Sequence, residues 1–221
     1  MSNPGGPLRE TKWVVWTGVT LVVVTLLAGL IVAAAKSWRA AAKPLPIYGL
    51  VADFSLTNQN GRTVSLADLQ GHVWVADIIF TRCAGPCPRM TQQMKALQDA
   101  LPAESEARLV TLTTDPDFDN PTVLTSYGER FGASPARWTF LTGSKPELGK
   151  LAIDSLKLTA IPKTPAEQES PADLFVHSTI FVVVDKHARL RGVFETTGED
   201  IDPRVVQARI LAAVRRLERE P

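Results

Sequence analysis

Hydrophobic and polar positions divide the chain into two regimes. Residues 13–35, WVVWTGVTLVVVTLLAGLIVAAA, run for 23 positions without a charged side chain. At helical rise this run spans about 34 Å, enough to cross a hydrocarbon core. Trp13, Trp16 and Trp38 stand near its ends, where amphipathic rings favour a membrane interface. A cleaved signal peptide is the competing reading, with the alanines before Lys36 as its cleavage site. The run is longer than a signal core, so a retained anchor is expected. Arg9 and Lys12 precede the run and Lys36, Arg39 and Lys43 follow it, so flanking charge does not choose an orientation.

From residue 48 onward the pattern alternates between strand and helix periods, with no internal repeat. Asn60-Gly61, inside ADFSLTNQNGRTVSLADLQG, predicts a hairpin turn in which both residues take positive φ. HVWVADIIF is almost continuously apolar, as a central strand buried on both faces requires. Met90, Met94, Leu97 and Leu101 recur at helical spacing, and packing in the core is their expected role. ARLVTLTT, WTFLTG and HSTIFVVVD read as further strands, with RLRGVFE pairing with the last. Asp119-Asn120-Pro121 reads as a helix cap and first turn. Asp202-Pro203 opens a final amphipathic helix through Val206, Ile210, Val214 and Leu217. Such alternation predicts an α/β domain with a mostly parallel sheet, helices on both faces and a closing antiparallel hairpin. Residues 157–173, KLTAIPKTPAEQESPAD, are polar and proline-rich and are expected to form a mobile loop.

Four segments follow. They are a cytoplasmic tail (1–12), a transmembrane anchor (13–35), a tether (36–47) and the α/β domain (48–221). Beyond residue 43 the chain carries 19 basic and 22 acidic residues. A near-neutral domain without a basic stripe is not a nucleic-acid binder.

The chemistry rests on TRCAGPCPRM, residues 81–90, which holds both cysteines of the chain, Cys83 and Cys87. Pro88 suits the first turn of a helix, so Cys87 is expected at a helix N-terminus, where the dipole favours thiolate. Cys87 also shares the stripe of Met90 and Met94 and should face inward, leaving Cys83 nearer solvent. Arg82 and Arg89 are either solvated charges or further stabilisers of thiolate. A structural disulfide would close only a five-residue loop, worth about 2 kcal/mol in the chain-entropy model. A domain of this size can bury enough apolar surface without it. Redox and metal roles therefore stay open. A thiol peroxidase would need Pro and Thr seven and three positions before Cys83, where the chain has Ala76 and Phe80. Asp77, in the apolar strand six residues before Cys83, must be hydrogen-bonded or protonated if buried.

From about Phe54 to the last helix the sequence resembles the Sco/SenC family, membrane-anchored thioredoxin-like proteins that help assemble the copper centre of cytochrome oxidase. The Cys-x3-Cys-Pro pattern falls on Cys83, Cys87 and Pro88. The family's Asp-Pro falls on Asp115-Pro116, and its late His-Ser/Thr falls on His177-Ser178. Two positions depart from the family pattern: Val176 stands where Asp is common, and the hairpin DKHARL lacks the usual Gly.

The resemblance implies a thioredoxin-like fold, a central mixed sheet flanked by helices, behind one N-terminal transmembrane helix. It implies copper, as Cu(I) or Cu(II), held by Cys83, Cys87 and His177. His72 and His187 are expected to be surface residues. The implied partner is cytochrome c oxidase subunit II or a related copper protein. The implied location is the bacterial inner membrane, single-pass, with the C-terminal domain in the periplasm or otherwise outside the cytoplasm. A thiol-disulfide reductase using Cys83 and Cys87 as its redox pair is the alternative function.

Overall fold

A computed structural model describes residues 8–42, 44–164, 166–168, 175–198 and 200–220. The chain divides into two compact units, Met1–Pro44 and Leu45–Pro221. The first holds helix α1 (Leu8–Ala42), in which Trp13–Ala33 is long and apolar enough to cross a membrane. Its apolar side chains are exposed, with Leu21 and Leu30 at 70% and 71%. Three threonine hydroxyls donate back along the helix, Thr17 to Val14 O (2.9 Å), Thr20 to Trp16 O (2.7 Å) and Thr25 to Val22 O (2.8 Å). Each hydroxyl is thereby satisfied without water, the condition an apolar solvent imposes.

In chain order the second unit holds β1 (Gly49–Leu50), β2 (Ser55–Asn58), β3 (Thr63–Ser65), β4 (Trp74–Ile79), α2 (Cys87–Ala100) and β5 (Arg108–Thr113). It continues through α3 (Pro121–Arg130), β6 (Trp138–Thr142), α4 (Lys145–Gly149), β7 (Ala160–Pro162) and β8 (Phe175–His177). The strands β9 (Ile180–Val184) and β10 (Arg189–Glu195) and the helix α5 (Pro203–Arg219) complete it. Eight strands form one sheet in the order β1-β10-β9-β4-β5-β6-β2-β3.

Only β4, β5 and β6 pair in parallel; the remaining neighbours in this sheet are antiparallel. The alternation alone predicts a mostly parallel sheet; the sheet is mixed, as the family resemblance implies. Crossover helices join β4 to β5 and β5 to β6, whereas hairpins β2–β3 and β9–β10 build the two flanks.

Alternation along β4 sorts the core onto two faces. Val75 and Ile79 join Met90, Met94 and Leu97 of α2, Leu124 of α3 and Ile210 and Val214 of α5. Trp74, Ala76 and Ile78 join Leu148, Leu151 and Leu156 on the opposite face. Both methionines of α2 are fully buried, as their spacing predicts. Asp77, by the same alternation, lies on the α2 face. Its Oδ1 accepts from Thr111 Oγ1 (2.6 Å), whose oxygen in turn accepts from Trp138 Nε1 (2.9 Å).

Two local expectations change. Gly61 has φ +74°, but Asn60 is not in the left-handed region. The turn is built instead by Asn58, whose Oδ1 accepts from the amides of Asn60 and Arg62, both at 3.0 Å. Residues 157–173 are not simply a loop, because β7 within them pairs antiparallel with β8, setting Ala160 opposite His177.

Arg191 fastens the domain's entry and exit. Its buried guanidinium donates to Asp185 (2.5 Å), to Glu220 after α5 (2.9 Å) and to the carbonyls of Leu45 (2.9 Å) and Pro46 (3.2 Å).

Candidate functional site

β4 delivers the chain to the cysteines and α2 receives it. Cys83 N donates to Phe80 O (3.2 Å), turning the chain as it leaves the sheet. Ala84 and Gly85 are exposed, and Gly85 N donates to Cys83 Sγ (3.3 Å). Cys87 opens α2 with Pro88 in its first turn. Cys87 is fully buried, Cys83 is half-buried, and neither is in a disulfide.

The hydrogen bond with Cys83 is the largest influence on Cys87, raising its pKa, and burial raises it further. A backbone hydrogen bond at Phe80 acts in the opposite direction, while charge on Cys83 and Asp77 adds to the rise. The net shift is well above the ordinary thiol range. The expectation that the helix N-terminus favours thiolate at Cys87 is thus corrected: a buried thiol that donates to its neighbour holds its proton. Two adjacent sulfurs, one deep and one accessible, can close into a disulfide or together offer a soft metal ion two donors.

The far side of Cys87 is pinned. Thr91 Oγ1 donates to Cys87 O (2.9 Å) and shares a hydrogen bond with the buried Tyr127 hydroxyl (2.8 Å). Burial raises the Tyr127 pKa above its usual value, despite the Thr91 hydrogen bond, so the phenol is a neutral partner.

The loop after β5, TTDPDFDNP, grips the residues before Cys83. Asp115 Oδ2 accepts from Arg82 Nη2 (2.5 Å) and Nε (3.2 Å). The same guanidinium lies 4.2 Å from the Phe118 ring centroid, on its face. Arg82 is thus committed to Asp115 and Phe118. Asp119, fully buried, accepts from Thr113 Oγ1 (2.5 Å), from Thr81 N (3.1 Å) and from the Thr81 hydroxyl. The sequence pattern marks Asp119 only as part of a helix cap, and that cap is Asn120, whose Oδ1 accepts from Val123 N (3.1 Å). A polar Thr at the end of an apolar strand was the available signal that a buried acceptor stood opposite.

His177 ends β8, three residues before Ile180. β9 runs antiparallel to β4, with Ala76 opposite Val182. Followed backwards, the backbone from Ile180 to His177 heads toward the sheet end from which Cys83 departs. The imidazole of His177 lies outside the described side chains. Among the described residues no group of three His, Cys, Asp or Glu side chains converges on a metal position. His187 is exposed; His72 is half-buried beside Val73, at the opposite end of β4. Neither adjoins the cysteines.

Fold and site together define a thioredoxin-like domain that carries a hydrogen-bonded dithiol at the end of a central strand. Residues 45–214 match the SCO1/SenC family, and the chain belongs to it. A SCO1 protein homolog of Bacillus subtilis is 36% identical over 162 residues, 71% of this chain and 81% of the relative. The solved structure of BsSco is described as a member of the Sco family of cytochrome c oxidase assembly proteins with a disulfide switch. It is 30% identical, covers 81% of this chain and 100% of its own, and superposes with a TM-score of 0.67. The copper-bound ScoI of Arabidopsis thaliana, 19% identical over 76% of this chain and 99% of its own, shares the fold with a TM-score of 0.60.

Proposed function

We propose that this chain is a membrane-anchored copper-binding assembly factor that hands copper to the binuclear site of cytochrome c oxidase subunit II. Cys83, Cys87 and His177 are the proposed ligands. The observation that carries the reading is the turn from β4 into α2, which presents two soft donors four residues apart, Cys83 half-buried before the helix and Cys87 buried at its first position, with no disulfide between them. Thiolates select Cu(I), and one added imidazole makes a three-coordinate site able to hold Cu(II) as well. Copper is cargo here: the half-buried Cys83 gives an acceptor protein access to one ligand while Cys87 retains the other. In this reading α1 fixes the chain as a single-pass protein of a bacterial inner membrane, with the domain outside the cytoplasm and residues 1–12 inside.

A second reading, thiol-disulfide reductase, is favoured by the same pair of cysteines in the dithiol form and by the disulfide switch described for BsSco. Reducing the target's cysteines would transfer two electrons and two protons from the dithiol, leaving the Cys83–Cys87 disulfide.

Copper titration of the reduced chain separates the two. The wild type is expected to bind one copper ion, and Cys83→Ser or Cys87→Ser to lose Cu(I) binding nearly completely. His177→Ala keeps two thiolates, which suit linear Cu(I), and should lose Cu(II) more severely. His72→Ala and His187→Ala should change neither. Equal Cu(II) binding by wild type and His177→Ala would remove His177 from the ligand set. A wild type that binds neither ion would leave the reductase standing.

A further inference from the structure

We propose that Asp119 is the positioning residue of the cysteine loop, fixing through Thr81 where Cys83 stands relative to Cys87. The inference deepens the dithiol site on which the proposed function rests.

Asp119 gathers hydrogen bonds from both strand ends. Thr113 Oγ1 accepts from Asp115 N (2.9 Å) and donates to Asp119 Oδ2 (2.5 Å). Thr81 N also donates to Oδ2 (3.1 Å), while the Thr81 hydroxyl donates to Oδ1. Three donors converge on two oxygens, so Asp119 serves as their common acceptor; burial pushes its pKa up, and the hydrogen bonds from Thr113 and Thr81 act against that rise. It is fully buried, and its own amide donates to Asp115 O (2.8 Å). Thr114 N donates to Ile79 O (2.9 Å), so the segments leaving β4 and β5 are joined by backbone as well as by side chain.

The consequence lies in what remains free. Thr81 is held by Asp119, and Cys87 is held by Thr91 and the first turn of α2. Arg82, held by Asp115 and Phe118, is the second anchor on this side, so the reach of the two sulfurs is set by residues 83–86 between the anchors. Releasing Thr81 leaves Arg82 as the remaining side-chain anchor before Cys83, loosens the segment, lowers the effective concentration of one thiol at the other and weakens disulfide closure. A donor pair that is less well placed also loses the advantage of a preformed ligand geometry.

The test is the reduction potential of the Cys83–Cys87 couple in the full chain in detergent micelles. The protein is equilibrated against glutathione buffers, and its thiols are counted by alkylation and mass. Asp119→Asn keeps the shape but presents an amide donor to one side of the donor cluster. Thr81→Val removes one hydroxyl and keeps the backbone N–H, so it stays informative if Asp119→Asn does not fold. Both are expected to lower the closure constant about tenfold, raising the potential by about 30 mV. Thr81→Ser should restore the wild-type value. Asp117→Ala, which breaks only an exposed pair with Lys145 on the same loop, should match the wild type. Wild-type potentials in folded Asp119→Asn and Thr81→Val would overturn the proposal, as would an equal shift in Asp117→Ala. The readout needs no metal. Failure of the wild type to bind copper would sink the copper reading and leave this result standing.

Discussion

Oxidation of Cys83 and Cys87 is expected to stabilise the domain modestly, and the size of the effect follows from the site. Closing the pair releases two protons and two electrons to the oxidant and cross-links a five-residue loop. Chain entropy values that loop at about 2 kcal/mol. Against it stands the thiol–thiol hydrogen bond that exists only in the reduced form, worth about 1 kcal/mol. The net gain is about 1 kcal/mol. For a domain of this size it corresponds to a rise in Tm of about 2–4 °C. The reduced domain keeps its core, because Ile79, Met90, Met94 and Phe140 pack on one face and Trp74, Leu112 and Leu151 on the other without help from the sulfurs. Paired melts of disulfide and dithiol forms, followed by near-ultraviolet circular dichroism, measure the gap. Unfolding on reduction, or a gap above about 20 °C, would refute the reasoning and return the pair to the role of a structural staple.

Two further outcomes concern the hairpin that carries β9 and β10. Arg191→Met should cost about 2–3 kcal/mol in urea unfolding at pH 7, because Asp185 loses its nearest cation while keeping Arg189 at 2.7 Å. Burial raises the Asp185 pKa, but hydrogen bonds from Arg191, Arg189 and His187 outweigh it and leave the carboxyl below its usual value. A depressed folded pKa contributes stability above the unfolded value near 4, and that stability is lost as pH falls through the folded pKa. The cost of Arg191→Met should therefore shrink on acidification below about pH 4; a cost independent of pH would count against the ion pair. Ala188 has φ +59° where the hairpin lacks glycine, so Ala188→Gly should stabilise the fold by about 1 kcal/mol, and a destabilised variant would show that the buried methyl matters more.

The sequence by itself determined the central strands, the helices α1, α2, α3 and α5 and the direction of each cysteine, but not α4 or the β7–β8 pair. The uncharged run 13–35 is enough to specify a membrane-length helix, and period alone set Met90 and Met94 in the core with Cys87 inward and Cys83 outward. The Cys-x3-Cys-Pro and His-Ser motifs were sufficient for the family. Tertiary structure decided what depends on residues distant in the chain. Whether strands pair in parallel is fixed by the side of the sheet on which a hairpin docks, which the local pattern of β9 and β10 does not encode. The protonation bias of Cys87 reversed because a neighbouring sulfur and burial outweigh a helix end, and burial is a property of the whole domain. Asp119 reads locally as part of a helix cap. It becomes the acceptor beneath the cysteine loop only when β5 lies against β4, since a carboxylate's partners are set by what the fold brings within hydrogen-bond reach.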